Sequence, residues 1–320
     1  MELSNNKMQR KIENAEAQAS NVGNIPVAVK AVLYVLLALL AASSLIPLLL
    51  TFTVSITENQ TLAANGYSLF PEKTSLAAYT YILQNAMAVW QAYGVTVATT
   101  IVGTLLGLSV QTMFAYVISR KYFPWRNTLT FFVYFTTLFN GGMVPTYMVV
   151  TQILHLRDTW AVLIIPGCVS VIYILILRTF MATSIPDAVV ESAKIDGARE
   201  FRCFRQIVLP MSLPSVMTIM LFMAVGYWND WYTGFLYLLN NDKLVNIQLY
   251  LKRIENDMMF FSQEATNGMT PAQAAEYRKT MPTESFRMAL VMLVVIPLLV
   301  AYPFFQKYFV KGMTIGAVKG

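Results

Sequence analysis

The residue types that most often carry enzyme chemistry are scarce and widely separated in this chain of 320 residues. His155 is the single histidine, and the two cysteines, Cys168 and Cys203, lie far apart with no second pair of ligands nearby. A zinc site needs four clustered ligands, so neither a zinc site nor a disulfide framework is expected. The sequence also lacks the phosphate loop G-x-x-x-x-G-K-[ST], the metal helix H-E-x-x-H and the nucleophile elbow G-x-S-x-G. We therefore expect no catalytic residue and no metal ligand here, and any driving energy must come from a partner.

One polar segment, residues 183–210, has the composition of a rigid element that docks on another protein; we call it the docking segment. Ser184 is placed to cap a helix, Pro186 suits its first turn, and Gly197 can supply the left-handed residue that ends it. A second short helix is predicted at about 198–208. The small residues that would allow close backbone approach are Ala188, Ser192, Ala193, Gly197 and Ala198. The alternative is a helix lying on lipid headgroups, which would have bulky apolar residues at these positions.

Two stretches contain groups that could handle a polar solute inside an apolar environment. The first is Trp228-Asn229-Asp230-Trp231, where rings could pack on the apolar face of a pyranose while amides bind its hydroxyls. The second follows Asn140, where two glycines and Pro145 interrupt the helical ladder and free backbone groups that lipid cannot satisfy. Each stretch also has an ordinary interpretation: an aromatic belt at the membrane interface for the first, and close helix packing for the second.

The composition indicates a membrane protein. Hydrophobic residues make up 56% of the chain and charged residues only 12%, with a mean hydropathy of +0.53. Soluble domains have about 25% charged residues, so lipid must face part of this surface. The net charge of +6 does not predict nucleic-acid binding, because the basic residues fall between apolar spans. A bilayer core of about 30 Å needs roughly 20 apolar residues in a helix. Six segments meet this length, at about 31–55, 92–118, 128–150, 159–179, 212–238 and 286–306.

The basic residues also predict the orientation of these spans. Most Lys and Arg residues fall in segments that are cytoplasmic if the N-terminus is inside. The sequence therefore predicts an all-α membrane protein with about six transmembrane helices and both termini in the cytoplasm. Its parts are a cytoplasmic segment 1–30, a membrane domain 31–306 with external loops at about 56–91 and 239–285, and a cytoplasmic tail 307–320. A short surface helix is expected in the second loop, after Thr270-Pro271.

The docking segment resembles a known family. Glu191-Ser192-Ala193, three residues, Gly197, nine residues and then Ile207-Val208-Leu209-Pro210 is similar to the signature loop E-A-A-x3-G-x9-I-x-L-P of bacterial ABC-importer permeases. Ser192 replaces the second alanine, a change between small residues. The ending Gln306–Gly320 is similar to the tails of maltose-type carbohydrate permeases, particularly the branch serving complex oligosaccharides. The resemblance covers roughly residues 30–320.

The resemblance implies an assembly and a set of site residues. The docking segment would be the coupling helix that fits a cleft of a cytoplasmic ATPase, through Glu191, Ser192, Ala193, Asp196, Gly197 and Ala198. The partners would be a second permease, a non-identical homologue, together with an ATPase dimer that carries ATP and Mg²⁺, an extracytoplasmic solute-binding protein and a sugar or oligosaccharide. The chain would bind no cofactor itself and would lie in the bacterial cytoplasmic membrane. The tentative substrate path is Asn140, Trp228, Asn229, Asp230 and Trp231.

Three alternatives remain at this stage. The first is an ABC permease for a solute other than a sugar. The second is an ion-coupled secondary transporter, which normally shows acidic residues near the middle of the membrane and paired half-repeats. Neither feature is visible in the sequence. The third is a membrane enzyme, which the missing catalytic motifs disfavour.

Overall fold

The computed structural model describes residues 26–85, 87–139, 141–264 and 283–317, and the regular secondary structure of this part is helical apart from one isolated bridge between Thr57 and Thr74. The α-helices of the described residues are α1 (Val27–Ser55), α2 (Asn59–Asn65), α3 (Ala77–Asn85), α4 (Met87–Ser119), α5 (Arg126–Leu138), α6 (Met143–Met148), α7 (Trp160–Ile164), α8 (Val171–Ser184), α9 (Asp187–Ile195), α10 (Glu200–Cys203), α11 (Leu209–Met211), α12 (Leu213–Trp228), α13 (Tyr232–Tyr237), α14 (Ile247–Glu264) and α15 (Glu284–Ala317). Single π-helical turns follow α6 at Val149–Ile153 and α10 at Phe204–Val208.

Three helices of the described residues, α1, α4 and α15, are long and apolar enough to cross a membrane alone. Two bent pairs bring the number to as many as five. The first pair is α7 with its following 3₁₀ turn and α8, bent by 48°, and the second is Glu200–Met211 and α12, bent by 82°. The predicted all-α membrane architecture is confirmed, whereas the count of six spans stays a prediction.

The third predicted span, 128–150, is two helices rather than one. α5 ends at Leu138 and α6 begins at Met143, with Gly142 between them at φ +85°. Only glycine adopts this left-handed conformation at little cost, so the presence of glycine at position 142 favours the break between the two helices. The π-helical turn after α6 then carries the chain to Ile153. The predicted interruption of the helical ladder is therefore present.

A second break, between α7 and α8, shows how freed backbone groups are satisfied in this bundle. The side chain of Gln111 on α4 is fully buried; its Nε2 donates to Cys168 O at 2.9 Å, and its Oε1 accepts from Ser170 N at 3.2 Å. The Tyr227 hydroxyl donates to Ile164 O at 2.7 Å. Because lipid offers no hydrogen bonds, these internal partners are what allow the chain to bend at this depth.

The buried hydrophobic side chains of the described residues form three clusters, two of which lie at opposite ends of the bundle. At the end nearest the docking segment, buried side chains of α4, α8, α9 and α12 meet, among them Leu177, Met181, Val190 and Ile219. At the opposite end, which we call the distal end, a second cluster joins α3, α4, α14 and α15 and includes Ile247 and Leu290. By contrast, the most apolar 18-residue stretch of α1 has no buried residue and α5 has none either, so both present apolar surface for lipid or another subunit.

The predicted external loop at about 239–285 contains a helix of 18 residues, α14, which the sequence did not predict. Its composition is too polar for a membrane span. Tyr250, Leu251, Ile254 and Met258 pack on the distal core cluster, which explains why it folds. The other predicted external segment, 56–91, contains α2, α3 and the first turn of α4. The short helix predicted after Thr270-Pro271 lies outside the described residues.

Candidate functional site

The docking segment forms α9, a left-handed turn and then a helical stretch from Glu200 to Met211. Gly197 lies at φ +83°, and Ala198 N donates to Ala193 O at 2.9 Å to close the helix end, as the sequence predicted. The predicted helix cap is wrong. Ser184 is the last residue of α8, and α9 begins after Pro186 with no side-chain cap.

One face of the docking segment packs on the bundle itself. Val190, Cys203 and Val208 are fully buried in the cluster shared with α4, α8 and α12. Ala193 and Ala198 are partly buried against the same cluster. The small size of these two residues therefore serves the packing of the segment on its own bundle, and their contact with a partner stays a prediction.

The opposite face of the docking segment is open. Glu191, Ser192, Asp196 and Gly197 are exposed, as a partner-binding role requires. Beside them, two large apolar side chains project from the surface: Ile195 is 86% exposed and Phe201 is 64% exposed. Such residues form the energetic centres of many protein interfaces. Neither residue was predicted as a contact from the sequence, because the burial of Val190 and Cys203 on the other face is visible only in the fold.

A cluster of polar side chains, which we call the Glu200 cluster (Glu200, Lys194, Tyr116 and Tyr122), ties the docking segment to α4. The hydroxyls of Tyr116 and Tyr122 each donate to Glu200 Oε2 at 2.8 Å, and Lys194 Nζ lies 2.5 Å from Glu200 Oε1. Lys194 Nζ also lies 3.4 Å from the centroid of the Tyr122 ring. Burial raises the pKa of Glu200, but the hydrogen bonds from Lys194, Tyr116 and Tyr122 outweigh it and hold this pKa below its usual value.

A second connection holds the start of α9. Arg120, at the end of α4, is only 1% exposed; its Nη2 donates to Met181 O at 2.5 Å, and its Nη1 lies 3.5 Å from Asp187 Oδ1. Lys121 Nζ lies 3.0 Å from the other oxygen of Asp187. A buried guanidinium must be paired, because an uncompensated charge in the interior costs several kcal/mol. The docking segment is therefore fixed to the bundle at both of its helices.

The predicted substrate-path residues lie near the end of α12, and they do not act alike. Trp228 is buried; its Nε1 donates to Val294 O at 3.1 Å, and its ring stands edge-on to Tyr93, with centroids 5.7 Å apart. Asn229 is exposed and accepts from Gln248 Nε2 at 3.0 Å. Trp228 thus holds α12 against α4 and α15 and is buried among the described residues, while its place in a solute path stays a prediction.

Asp230 and Trp231 line two different cavities. Asp230 lies in a cavity of about 280 Å³ with Tyr173, Phe222 and Tyr227, where the Tyr173 and Phe222 rings are stacked. Asp230 Oδ1 also accepts from Thr233 N at 3.0 Å, which caps α13. Trp231 lies in a separate distal cavity of about 320 Å³. Asn140 lies outside the described residues, and the neighbouring Gly141 and Gly142 are exposed.

Together these features define a class: a helical membrane protein with broken spans, open cavities near the distal end and a rigid polar projection at the other end. The family profile of the binding-protein-dependent transport system inner membrane component matches residues 111–315. The polygalacturonan/rhamnogalacturonan transport system permease of Bacillus subtilis (strain 168) is 35% identical over 90% of this chain and 97% of its own length. The arabinooligosaccharides transport system permease of Halalkalibacterium halodurans is 26% identical over 88% of this chain and 94% of its own length.

A solved structure agrees with these relatives. The crystal structure of a bacterial ABC transporter involved in the import of the acidic polysaccharide alginate contains a chain that matches with a TM-score of 0.75 and 25% identity, covering 88% of this chain and 96% of that one. The chain belongs to the family of binding-protein-dependent transport system inner membrane components, the permease subunits of ABC importers. The family expected from the docking segment is thereby confirmed. The members of this family are transport components of the membrane and not catalytic subunits.

Proposed function

We propose that this chain forms part of the translocation path for a sugar or oligosaccharide delivered by a solute-binding protein. The names of its relatives support this substrate class, since they describe permeases for polygalacturonan/rhamnogalacturonan and for arabinooligosaccharides. They favour a sugar over the alternative of another solute, and the family match favours an ABC importer over an ion-coupled transporter.

The proposed assembly has four other kinds of component. The apolar surfaces of α1 and α5 would meet lipid and a second permease, a non-identical homologue. A dimeric ATPase would carry ATP and Mg²⁺ on the cytoplasmic side, and a binding protein would deliver the solute outside. Residues 1–30 and 307–320 would then be cytoplasmic, flanking a membrane domain at 31–306 in the bacterial cytoplasmic membrane.

The observation that carries the coupling role is the double attachment of the docking segment. Ile195, Phe201, Glu191, Ser192, Asp196 and Gly197 would contact the ATPase, while the Glu200 cluster and Arg120 hold the segment to α4 and α8. When two ATPases close on ATP, a displacement of the segment would pass to α4, α8 and α12 because the attachment is too stiff to absorb it. Such rigid-body motion of helices is a standard form of conformational switching.

The proposed solute path runs along the distal half of α12. Asn229, Asp230 and Trp231 are accessible and offer amide, carboxylate and aromatic groups, the combination that suits a sugar. Asn140 remains a proposed member because the break beside it is present in the fold. Trp228 supports the wall of this path from behind.

Reconstitution tests the proposal. Proteoliposomes with this chain, its partner permease and the ATPase should take up oligosaccharide only with ATP inside, and uptake should rise when loaded binding protein is added outside. The chain purified alone should hydrolyse no ATP. Sustained hydrolysis by the isolated chain, or uptake driven by an ion gradient without ATP, would overturn the proposal.

Thiol labelling tests the orientation separately. Cys168 and Cys203 are both buried, so the wild type gives a low background. Asn65→Cys, in the distal segment, should react with an impermeant reagent added to intact cells. Trp125→Cys, in the exposed loop between α4 and α5 and outside the proposed ATPase interface, should react only after the membrane is opened. Labelling in the reverse order would invert the topology.

A further inference from the structure

The distal cavity that contains Trp231 lies between α14, α15 and the turn after α12, and its volume is about 320 Å³. Trp231 is 38% exposed and supplies an aromatic face. Gln248, Lys252 and Glu255 line the cavity from α14, and Arg287 lines it from α15. An aromatic face surrounded by several polar side chains on rigid helices is a suitable lining for a sugar ring.

The lining contains two cations, Lys252 and Arg287, and one carboxylate, Glu255. Lys252 Nζ donates to Glu255 Oε2 at 2.9 Å, which leaves the other oxygen of Glu255 able to accept. An ammonium has three donors, so Lys252 retains two, and it lies 5.9 Å from the centroid of the Trp231 ring. Gln248 uses its Nε2 on Asn229.

Arg287 adds a second cation with unused capacity. Its Nη2 lies 3.0 Å from Glu284 Oε2, close enough for an ion pair. Arg287 Nε is buried without a hydrogen-bond partner among the described residues, so the donors that Arg287 can offer to the cavity are those of its terminal guanidinium nitrogens. A guanidinium has five N–H groups in a planar fork that matches a carboxylate. Each cation that lines the cavity is paired with one glutamate and keeps further donors, so the cations outnumber the acids in the lining.

We infer that this cavity binds an acidic sugar residue, with the pyranose against Trp231 and the carboxylate between Lys252 and Arg287. The inference rests on the proposed function, because it specifies the class of saccharide that the permease admits. A uronate carboxylate would accept charge-assisted hydrogen bonds from both cations, which are about twice as strong as those to a neutral hydroxyl. The neighbouring Asn229 and Asp230 place the cavity beside the proposed path.

Equilibrium binding to the assembled transporter tests this inference. The complex in phosphatidylcholine nanodiscs, which have no anionic headgroup to compete, is titrated with trigalacturonate, trimannuronate and neutral maltotriose, without binding protein. At least one uronate trisaccharide should bind about ten-fold tighter than maltotriose, since one charged hydrogen bond is worth that factor or more. Lys252→Gln and Arg287→Gln should each weaken uronate binding by about ten-fold and leave maltotriose binding nearly unchanged. Trp231→Ala should weaken both ligands.

Lys243→Gln is the matched control, because Lys243 is exposed at the distal end but does not line this cavity. Arg287→Lys keeps the positive charge beside Glu284. If this variant binds the uronate partially, the loss of uronate binding in Arg287→Gln reflects the missing charge and not misfolding. Equal affinity for charged and neutral trisaccharides, or equal effects of Lys243→Gln and Lys252→Gln, overturns the acidic-sugar site. If ATP-driven uptake of a neutral oligosaccharide persists in that case, the proposed function stands. Absence of ATP-driven uptake of every saccharide contradicts the proposed function itself.

Discussion

The two ends of this bundle use charged residues in opposite ways. At the docking end, Glu200 accepts from two hydroxyls and an ammonium, and the buried Arg120 is held by a carbonyl and Asp187. At the distal end, Lys252 and Arg287 each have one acidic neighbour and donors to spare, beside open cavities. Polar groups with all their partners inside the protein make a structure stiff. Polar groups with spare donors around a cavity are suited to a ligand, so the difference separates a part that transmits motion from a part that receives solute.

The strongest test of this comparison is a pair of glycines that differ in location and share a positive φ. Gly197 at the docking end and Gly66 at the distal end have φ values of +83° and +71°, and a Cβ added at either would meet no atom within 4 Å. Asp at either position is strained by about 1–3 kcal/mol. Gly197→Asp should also place a charged side chain in the ATPase interface, so uptake should fall to background and the ATPase should be lost on purification.

Gly66→Asp should show the same small decrease in abundance but keep its ATPase and most of its uptake. The measurements are membrane abundance, uptake and co-purification of the ATPase. If both variants lose the ATPase equally, strain rather than location is responsible. If Gly197→Asp transports normally with its ATPase bound, the coupling role of this residue is wrong.

The next effect concerns exposed apolar side chains. Ile195→Ala should weaken ATPase binding by about ten-fold or more, because burying such a side chain at an interface is worth about 1.5–3 kcal/mol. Phe70→Ala is the control, since Phe70 is 87% exposed at the distal end. Both changes should leave the free permease equally stable. Titration of the purified ATPase onto immobilised permease measures the affinity, and unchanged binding by Ile195→Ala would exclude it from the interface.

The third effect separates binding of the ATPase from the transmission of its motion to the helical bundle. Glu200→Ala removes the acceptor of Lys194, Tyr116 and Tyr122 but none of the exposed residues that would contact the ATPase directly. The ATPase should stay bound and hydrolyse ATP, while sugar molecules transported per ATP should fall several-fold. Because the pKa of Glu200 is lowered in the fold, its contribution is complete above the ordinary carboxylate pKa and is lost only as the pH falls below it. An assay at pH 7 therefore measures the full effect.

Arg202→Ala is the matched control for Glu200. Arg202 lies in the same segment, but its Nε donates to Gln206, 2.9 Å away within that segment. Its removal breaks no connection to α4, so the transport ratio should stay close to that of the wild type. If the two variants have equal transport ratios, the Glu200 cluster does not transmit motion.

More features of the docking end than of the distal end were predictable from the sequence, because they depend on neighbouring residues in the chain. The turn at Gly197 and the two helices beside it follow from local backbone preferences, which a short sequence contains. The Glu200 cluster was not predictable, because Tyr116 and Glu200 meet only when α4 packs against the segment. Gln111 was missed for the same reason, since its partners lie in a break of α7 and α8.

At the distal end, the helix α14 and the separate roles of residues 228–231 were not predicted. α14 is too polar for a membrane span, although Leu251, Ile254 and Met258 recur at helical spacing and pack in the cluster of Phe286 and Leu290 of α15. In Trp228-Asn229-Asp230-Trp231, four adjacent residues received one role, although neighbouring side chains on a helix end point in different directions. The structure places Trp228 in the core and Trp231 beside a cavity.

The smallest predicted effect tests this difference between the two tryptophans. Trp228→Phe keeps a ring against Tyr93 but removes the Nε1 donor to Val294 O, a loss of about 1 kcal/mol, or a few degrees in melting temperature. Uptake per permease should not change, because no part of Trp228 faces a cavity. Trp231→Phe should do the reverse: the melting temperature should hold, since this ring is partly exposed and donates no hydrogen bond to the described residues, while uptake falls. Both variants keep an aromatic ring, so the distinction rests on location rather than on loss of bulk. Loss of uptake by Trp228→Phe at normal abundance would return this residue to the solute path.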